Sequence, residues 1–323
     1  MNETPIAQKV EQLFQQQMLD WPLIRDNYSA LENAQVRELA LGDSLIILQH
    51  NPERLRSSAA RIDAASIASR PCFLCDENQP KEQKALLWDC GRYKIQVNPY
   101  PIFLRHFTIA SNEHIPQSIS NPARVDDLLK LAHELPDYVL FYNGAKCGAS
   151  APDHFHFQAG LRQMLPLCAE VINPIQWPDE SILESDADGF IGFNQRLGRF
   201  MFLIKTTEPV LAGLYFARLQ LAMMGALGIN EEPKQNLLCW YEDGDYYIVV
   251  IPRLKHRPSC YGDGENQFVL SPASVDMGGL WTVPVKTDFD KLDATSIKAI
   301  YDELCLDNAT AVSIIDCYLF DKE

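Results

Sequence analysis

A chain of 323 residues is long enough for two domains or one large one. Its 47% hydrophobic and 22% charged residues are those of a globular protein able to bury a large core. A formal net charge of -15 argues against nucleic acid or an anionic membrane as the main partner, since both select basic surfaces. An anionic small substrate would need its cations gathered locally.

The opening residues, MNETPIAQKVEQLFQQQ, lack the basic start and apolar core of a secretory signal. No stretch approaches about 18 continuous apolar residues, so no membrane span is expected. The nine cysteines are odd in number and scattered, except for Cys72 and Cys75. That usage suggests a reducing compartment, free or metal-bound thiols and a cytoplasmic location.

In chain order, residues 6–20 carry Ile6, Val10, Leu13, Phe14 and Met18 at helical spacing. SLIILQHNP (44–52) reads as a strand closed by an Asn-Pro turn. RYKIQVNPYPIF (92–103) and RHFTIASNEH (105–114) read as strands around a Pro-rich corner. PARVDDLLKLAHEL (122–135) reads as a helix with proline in its first turn, and DYVLFYNG (137–144) as a strand ending in Asn-Gly. A short turn leads into a strand that opens at His154. The acidic stretch PDESILESDADGF (178–190) reads as a linker. Beyond it come a strand (199–205), a long apolar helix (209–227), strands at 236–242 and 245–253, a loop (255–267) and a closing helix (296–306). Both halves run strands around one main helix in a mostly antiparallel α+β pattern, without strong self-similarity in sequence.

Two stretches carry the chemistry. PCFLCDEN (71–78) holds a Cys-x-x-Cys with no thioredoxin-like surroundings. With His114 and His154, Cys72 and Cys75 make a Cys₂His₂ set, a complete tetrahedral zinc complement. In the second stretch, APDHFHFQAG (151–160), a strand would turn His154, His156 and Gln158 to one face and Phe155 and Phe157 to the core. Two readings fit. Either His154 joins the cysteines on zinc and leaves His156 free, or His154 and His156 chelate one metal as in a metal-dependent hydrolase. A free imidazole is largely neutral at cellular pH and can attack phosphorus to give a labile phosphoramidate. Gln158 beside it could then donate its amide to the phosphoryl oxygens. A non-catalytic nucleotide-binding or zinc-stabilised scaffold is a third reading.

The His-x-His-x-Gln sequence preceded by Gly-Ala-Ser closely resembles the nucleotidyltransferase branch of the histidine-triad superfamily. That branch includes galactose-1-phosphate uridylyltransferases, diadenosine tetraphosphate phosphorylases and GDP-L-galactose phosphorylases. QHNPERLRSSAARID (49–63) and NPYPIFLRHFTIASNEHIPQ (98–117) extend the likeness over residues 49–160. It is weaker in the second half, where it rests on IPRLKHRP and SPASVDMGGLWTVP. The resemblance implies two histidine-triad-like halves, 1–178 and 191–323, the first with zinc and nucleophile and the second completing the pocket. It implies a structural zinc on Cys72, Cys75, His114 and His154. It also implies that His156 is a nucleophile that becomes nucleotidylated, with Gln158 assisting. The substrate would be a nucleotide-sugar or dinucleotide polyphosphate, and the acceptor inorganic phosphate or a sugar phosphate. The uridylyltransferase relatives suggest a homodimer. There are departures. Ser150 lies four residues before His154 rather than three, and Phe157-Gln158 replaces the Gly-Gln of the uridylyltransferases, which is closer to the phosphorylases.

Several cations are candidates for the phosphates. Arg54, Arg56 and Arg61 follow the Asn51-Pro52 turn, in the segment that contacts the nucleotide in the family. Lys146 lies between Gly144 and Gly148, where backbone can approach a phosphate. Ser150 precedes the histidines, and Lys255 and Arg257 sit in the second-half loop, a candidate site for the phosphate of the second substrate.

Overall fold

The computed structural model describes residues 4–55, 66–67, 70–264 and 267–320. Helices α1 (Ile6–Asp20) and α2 (Pro22–Glu32) lead into a hairpin of β1 (Val36–Leu41) and β2 (Ser44–His50). A ten-stranded sheet follows, in the spatial order β3-β4-β5-β7-β6-β11-β12-β10-β9-β8. Its first five strands are β3 (Ala85–Trp88), β4 (Tyr93–Val97), β5 (His106–Ser111), β6 (Tyr138–Asn143) and β7 (His156–Leu161). The other five are β8 (Ile182–Ser185), β9 (Gly189–Asn194), β10 (Met201–Thr206), β11 (Gln235–Glu242) and β12 (Asp245–Pro252). Every neighbouring pair in it is antiparallel.

The order contains a repeat. Strands β3, β4 and β5 form a meander, helix α3 (Pro122–Glu134) crosses the sheet, and β7 inserts between β5 and β6. After the short helix α4 (Pro166–Glu170), strands β8, β9 and β10 form a second meander and helix α5 (Pro209–Leu227) crosses. Strand β12 then inserts between β10 and β11. The halves meet at β6 and β11, where Phe141 pairs with Leu238. The fold is α+β, with the antiparallel sheet and two similar halves read from the sequence.

Local chemistry explains the main elements. Asn121 caps α3 by accepting from the Ala123 amide, with Pro122 at the first helical position. Helix α5 starts at Pro209 and stops at Gly228, whose φ of 63° is left-handed. Asp243 and Gly244, at φ 52° and 95°, make the two-residue turn between β11 and β12.

A second, three-stranded sheet joins β1 and β2 to β13 (Leu280–Val283), with β13 parallel to β2. Around it lie α6 (Ser274–Met277), α7 (Lys286–Lys291) and α8 (Ala294–Leu304), and the chain continues into α9 (Asn308–Phe320). One core packs α1, α2, α3, α5 and α9 on one face of the large sheet, with Phe14, Leu128, Phe155, Phe157, Leu219 and Ile314. The other core fills the opposite face with Leu48, Phe103, Phe141, Trp240, Trp281 and Tyr301. Alternation along β11 feeds both: Leu237 and Cys239 enter the first, Leu238 and Trp240 the second.

Three expectations are corrected. The linker stretch 178–190 instead forms β8 and enters β9, around a turn where Asp186 accepts from the amides of Asp188 and Gly189. Its acidic side chains mark an exposed sheet edge, where charge discourages strand addition. The strand of the His-x-His-x-Gln motif opens at His156, because His154 lies in the turn before it. The closing helix is followed by another, α9. Helix α5 is the one helix among the described residues long and apolar enough to cross a membrane, with a mean hydropathy of 1.5. Here it packs against α3, α9, β10 and β12.

Gly148 sits where the β6–β7 loop meets the second half. Its φ is 94°, and a Cβ there would lie 2.6 Å from the Cβ of Ala273. Gly148→Ala is therefore expected to destabilise the fold by about 2–4 kcal/mol in urea unfolding. Adding Ala273→Gly should recover the part of that loss due to the contact.

Candidate active site

The Cys-x-x-Cys loop turns tightly. The Cys75 amide donates to the Cys72 carbonyl at 3.2 Å, and the Asn78 side chain donates to the same carbonyl at 3.0 Å. His114 follows β5, and His154 closes a turn with its amide donating to Ala151. The ligand atoms of Cys72, Cys75, His114 and His154 all lie within 4.8 Å of one another. Cys72 Sγ is 3.3 Å from His154 Nδ1, and Cys75 Sγ is 3.1 Å from His114 Nδ1. The far nitrogen of His154 is held as well. His154 Nε2 is 2.7 Å from the Ser111 carbonyl, to which it must donate, leaving Nδ1 a lone pair for the cluster. His114 Nε2 is 3.8 Å from the Asp153 carboxylate. Burial lowers the His154 pKa, which keeps the ring neutral. Such a backed Cys₂His₂ set could hold a metal ion.

Both ring nitrogens of His154 face the cysteine cluster and Ser111, an arrangement that favours the Cys₂His₂ set over a chelate shared with His156. His156 is 4% exposed and has its own tautomer fixed. Its Nδ1 lies 2.9 Å from the His154 carbonyl, which can only accept, so Nδ1 carries the proton and Nε2 the lone pair. Burial pushes its pKa down to about 4. Gln117 braces the same strand end. Its Oε1 accepts from the His156 amide at 2.8 Å, and its Nε2 donates to the carbonyls of Asn143 and His156 at 2.9 and 3.0 Å.

His156 and Gln158 line a cleft of about 590 Å³. Asn143 lines it too, beside His156 at the end of the neighbouring strand. The Asn143 Oδ1 accepts from Asn236 Nδ2 at 2.9 Å and from the Ser274 amide at 2.8 Å, so its own amide hydrogens are left for the cleft.

Arg54, Ser150 and Arg257 also reach this cleft. Arg54 donates to the Tyr100 carbonyl at 2.9 Å, while the preceding Asn51 anchors to Pro101. Burial lowers the Arg54 pKa to about 10, against the attraction of Asp276. The Ser150 carbonyl accepts from Arg70 at 2.8 Å. Arg257 donates from Nε to Ser271 at 3.0 Å and covers the Tyr261 ring. Lys146 and Lys255 do not line the cleft. They are exposed and paired with Glu231 and Glu303 at 2.6 and 2.8 Å. Arg56 and Arg61 lie outside the described residues.

Sequence reading missed Asn143, Gln117, His106 and Asp276. Only Asn143, in its Asn-Gly dipeptide, stood in a segment already singled out as a strand end. Asp276 is half-buried, and its carboxylate accepts from the amides of Ala273 and Thr282. Burial raises its pKa to about 6.

A half of meander, crossing helix and inserted strand, built twice, with His-x-His-x-Gln at the junction, defines a class. The chain has the fold of a solved Ap4A phosphorylase. Within that class it is similar to yeast Ap4A phosphorylase Apa2, with a TM-score of 0.61 and 16% identity over 95% of this chain and 99% of that one. The same enzyme in complex with Ap4A gives 0.61 and 15%, again over 95% and 99%. In complex with AMP it gives 0.57 and 17%, over 88% and 95%. Residues 13–161 match the model of a domain of unknown function, DUF4922. No protein of curated function matches the sequence.

Metal analysis of the purified chain should return one tightly held ion per molecule. Cys72→Ser should lose it and lower the unfolding temperature, whereas His156→Ala should keep it. Loss of the ion from His156→Ala would restore the chelate of both histidines.

Proposed function

We propose that this chain is a nucleotidyltransferase, of phosphorylase or uridylyltransferase type, that works through a covalent nucleotidyl-histidine at His156. The observation that carries the reading is the unprotonated Nε2 of a neutral, buried imidazole at the floor of the cleft, with two carboxamides beside it. His156 Nε2 attacks the α-phosphorus of a nucleotide-sugar or dinucleotide polyphosphate. A P–N bond forms, and the P–O bond to the sugar phosphate or nucleotide breaks. An oxygen of inorganic phosphate or of a sugar phosphate then attacks the same phosphorus and frees the histidine. Kinship in fold with an Ap4A phosphorylase favours a dinucleotide polyphosphate.

Gln158 and Asn143 stabilise the charge on the phosphoryl oxygens. Arg54, Arg257 and Ser150 hold the flanking phosphates, and Arg56 and Arg61 follow Arg54 in the segment that contacts nucleotide in the family. Cys72, Cys75, His114 and His154 hold a structural zinc, the ion suited to two thiolates and two imidazoles. With zinc bound, Cys72, Cys75, His114 and His154 would hold the turn that presents the His154 carbonyl to His156. The half 1–178 thus carries zinc and nucleophile, and the half 191–323 supplies Arg257 and the support of Asn143. The nine free cysteines favour work in the cytoplasm.

Intact-protein mass spectrometry tests the reading, after incubation with Ap4A and with UDP-, GDP- and ADP-sugars. Wild type should gain one nucleoside monophosphate from its substrate, and phosphate should discharge it. His156→Ala should gain nothing. An adduct that persists in His156→Ala would defeat the assignment of the nucleophile.

A further inference from the structure

His106 does not touch the reacting atoms, yet it is fully buried one strand away from Gln158. Its two ring nitrogens have opposite partners. The Ile102 amide lies 3.2 Å from Nδ1, and an amide can only donate, so Nδ1 is the acceptor. In a neutral ring Nε2 then carries the proton, and Nε2 is 3.0 Å from Gln158 Oε1. With Oε1 taken as acceptor, the Gln158 amide nitrogen is the atom left for the cleft.

We infer that His106 is a positioning residue that fixes which end of the Gln158 carboxamide faces the phosphoryl group. The inference rests on the proposed nucleotidyl transfer for its consequence in rate, but not for its geometry.

The surroundings make the orientation strict. The imidazole lies 5.7 Å from the Phe103 ring and 5.8 Å from the Phe141 ring, centroid to centroid. Tyr28 and Asn98 both donate to its backbone carbonyl. Burial, aided by the charge of Arg54, lowers its pKa to about 3, so the ring stays neutral with one donor and one acceptor. A carboxamide turns over by rotation about a single bond, and its two ends differ in sign. Turned over, it would present oxygen lone pairs to a phosphoryl oxygen and repel where it should stabilise. Among the described residues, His106 makes the hydrogen bond that selects the productive end.

The test is a double-mutant cycle on the rate of adduct formation at saturating nucleotide, with unfolding temperatures measured in parallel. His106→Leu should slow the step roughly 10–100-fold, with little change in nucleotide affinity. In a Gln158→Ala background the same change should cost less than about twofold, because the group it acts through is gone. His106→Gln can present an amide N–H where Nε2 stood and should recover most of the rate. Equal losses in both backgrounds would reduce His106 to a packing residue and overturn the inference. A readout free of nucleotide stands beside it. Imidazole ¹⁵N spectra at neutral pH should give His106 protonated at Nε2 alone, and protonation at Nδ1 would overturn the inference directly. A wild type that forms no adduct would sink the proposed transfer, while the spectra would still decide the role of His106.

Discussion

The hydrogen bond from His156 Nδ1 to the carbonyl of His154, 2.9 Å long, governs the chemistry of the cleft. It decides which nitrogen has a lone pair, and it can form only if residue 154 is held off the strand. The Cys₂His₂ cluster supplies that hold by drawing the His154 ring toward Cys72 and Cys75 while Ser111 takes its far nitrogen. The adjacent backbone is zipped into place, with Phe155 donating to Ile115 and accepting from Ser111. His154 of the metal-type cluster and the proposed nucleophile His156 are therefore held by one turn, and preorganisation of this kind is what acyl- and phosphoryl-transfer sites require.

The fold explains why there is one such site although the sheet is built twice. The strand registers equate Phe141 with Leu238 and Gln158 with Val249. Two residues on, they equate Asn143 with Trp240 and His156 with Tyr247. Trp240 and Tyr247 are buried and stacked, with centroids 4.9 Å apart and planes 1° apart. The face that is a polar cleft in the first half is thus packed with aromatic and aliphatic side chains in the second. The connections differ in the same sense. The loop between β6 and β7 carries His154 of the cluster and leads into His156, whereas β11 and β12 are joined by a two-residue turn. The second half keeps the architecture and gives its stability to the first, through Asn236 on Asn143 and through Arg253, which braces the loop before Arg257.

That difference also sets what the sequence could reveal. Topology repeats but side chains do not, so the halves have no common sequence pattern to read. The motifs were legible because their chemistry is local. Cys-x-x-Cys and His-x-His-x-Gln bring their donors together by spacing alone, and the alternation of Phe155 and Phe157 put them in the core. His154 was misread as a strand residue because a period of two cannot reveal where a strand begins. Residues 178–190 were misread because an acidic, turn-rich stretch looks alike as a linker or as a protected sheet edge. Asn143, His106 and Asp276 acquire meaning only from partners far along the chain. Lys146 and Lys255 misled for a different reason: a basic side chain beside glycine suggests phosphate, but in this acidic chain each finds a glutamate first.

Those two lysines lead to the balance of charge. A protein with a formal charge of -15 repels polyanions at long range. It can still hold a phosphate if the stabilising groups are few, close and shielded from water. The described cleft combines neutral donors, the carboxamides of Gln158 and Asn143, with the cations Arg54, Arg70 and Arg257. Neutral dipoles add little to the distant field but act strongly at hydrogen-bond range in a low-dielectric site. Asp276 fits the same design. It is an acid in the cleft wall, but its oxygens are spent on two backbone amides, burial disfavours its charged form, and Arg54 offsets the charge that remains. On the proposed function, an acidic surface around an amide-lined cleft would disfavour nucleic acid and still admit small phosphate esters. The selectivity follows from where the charges are absent as much as from where they sit.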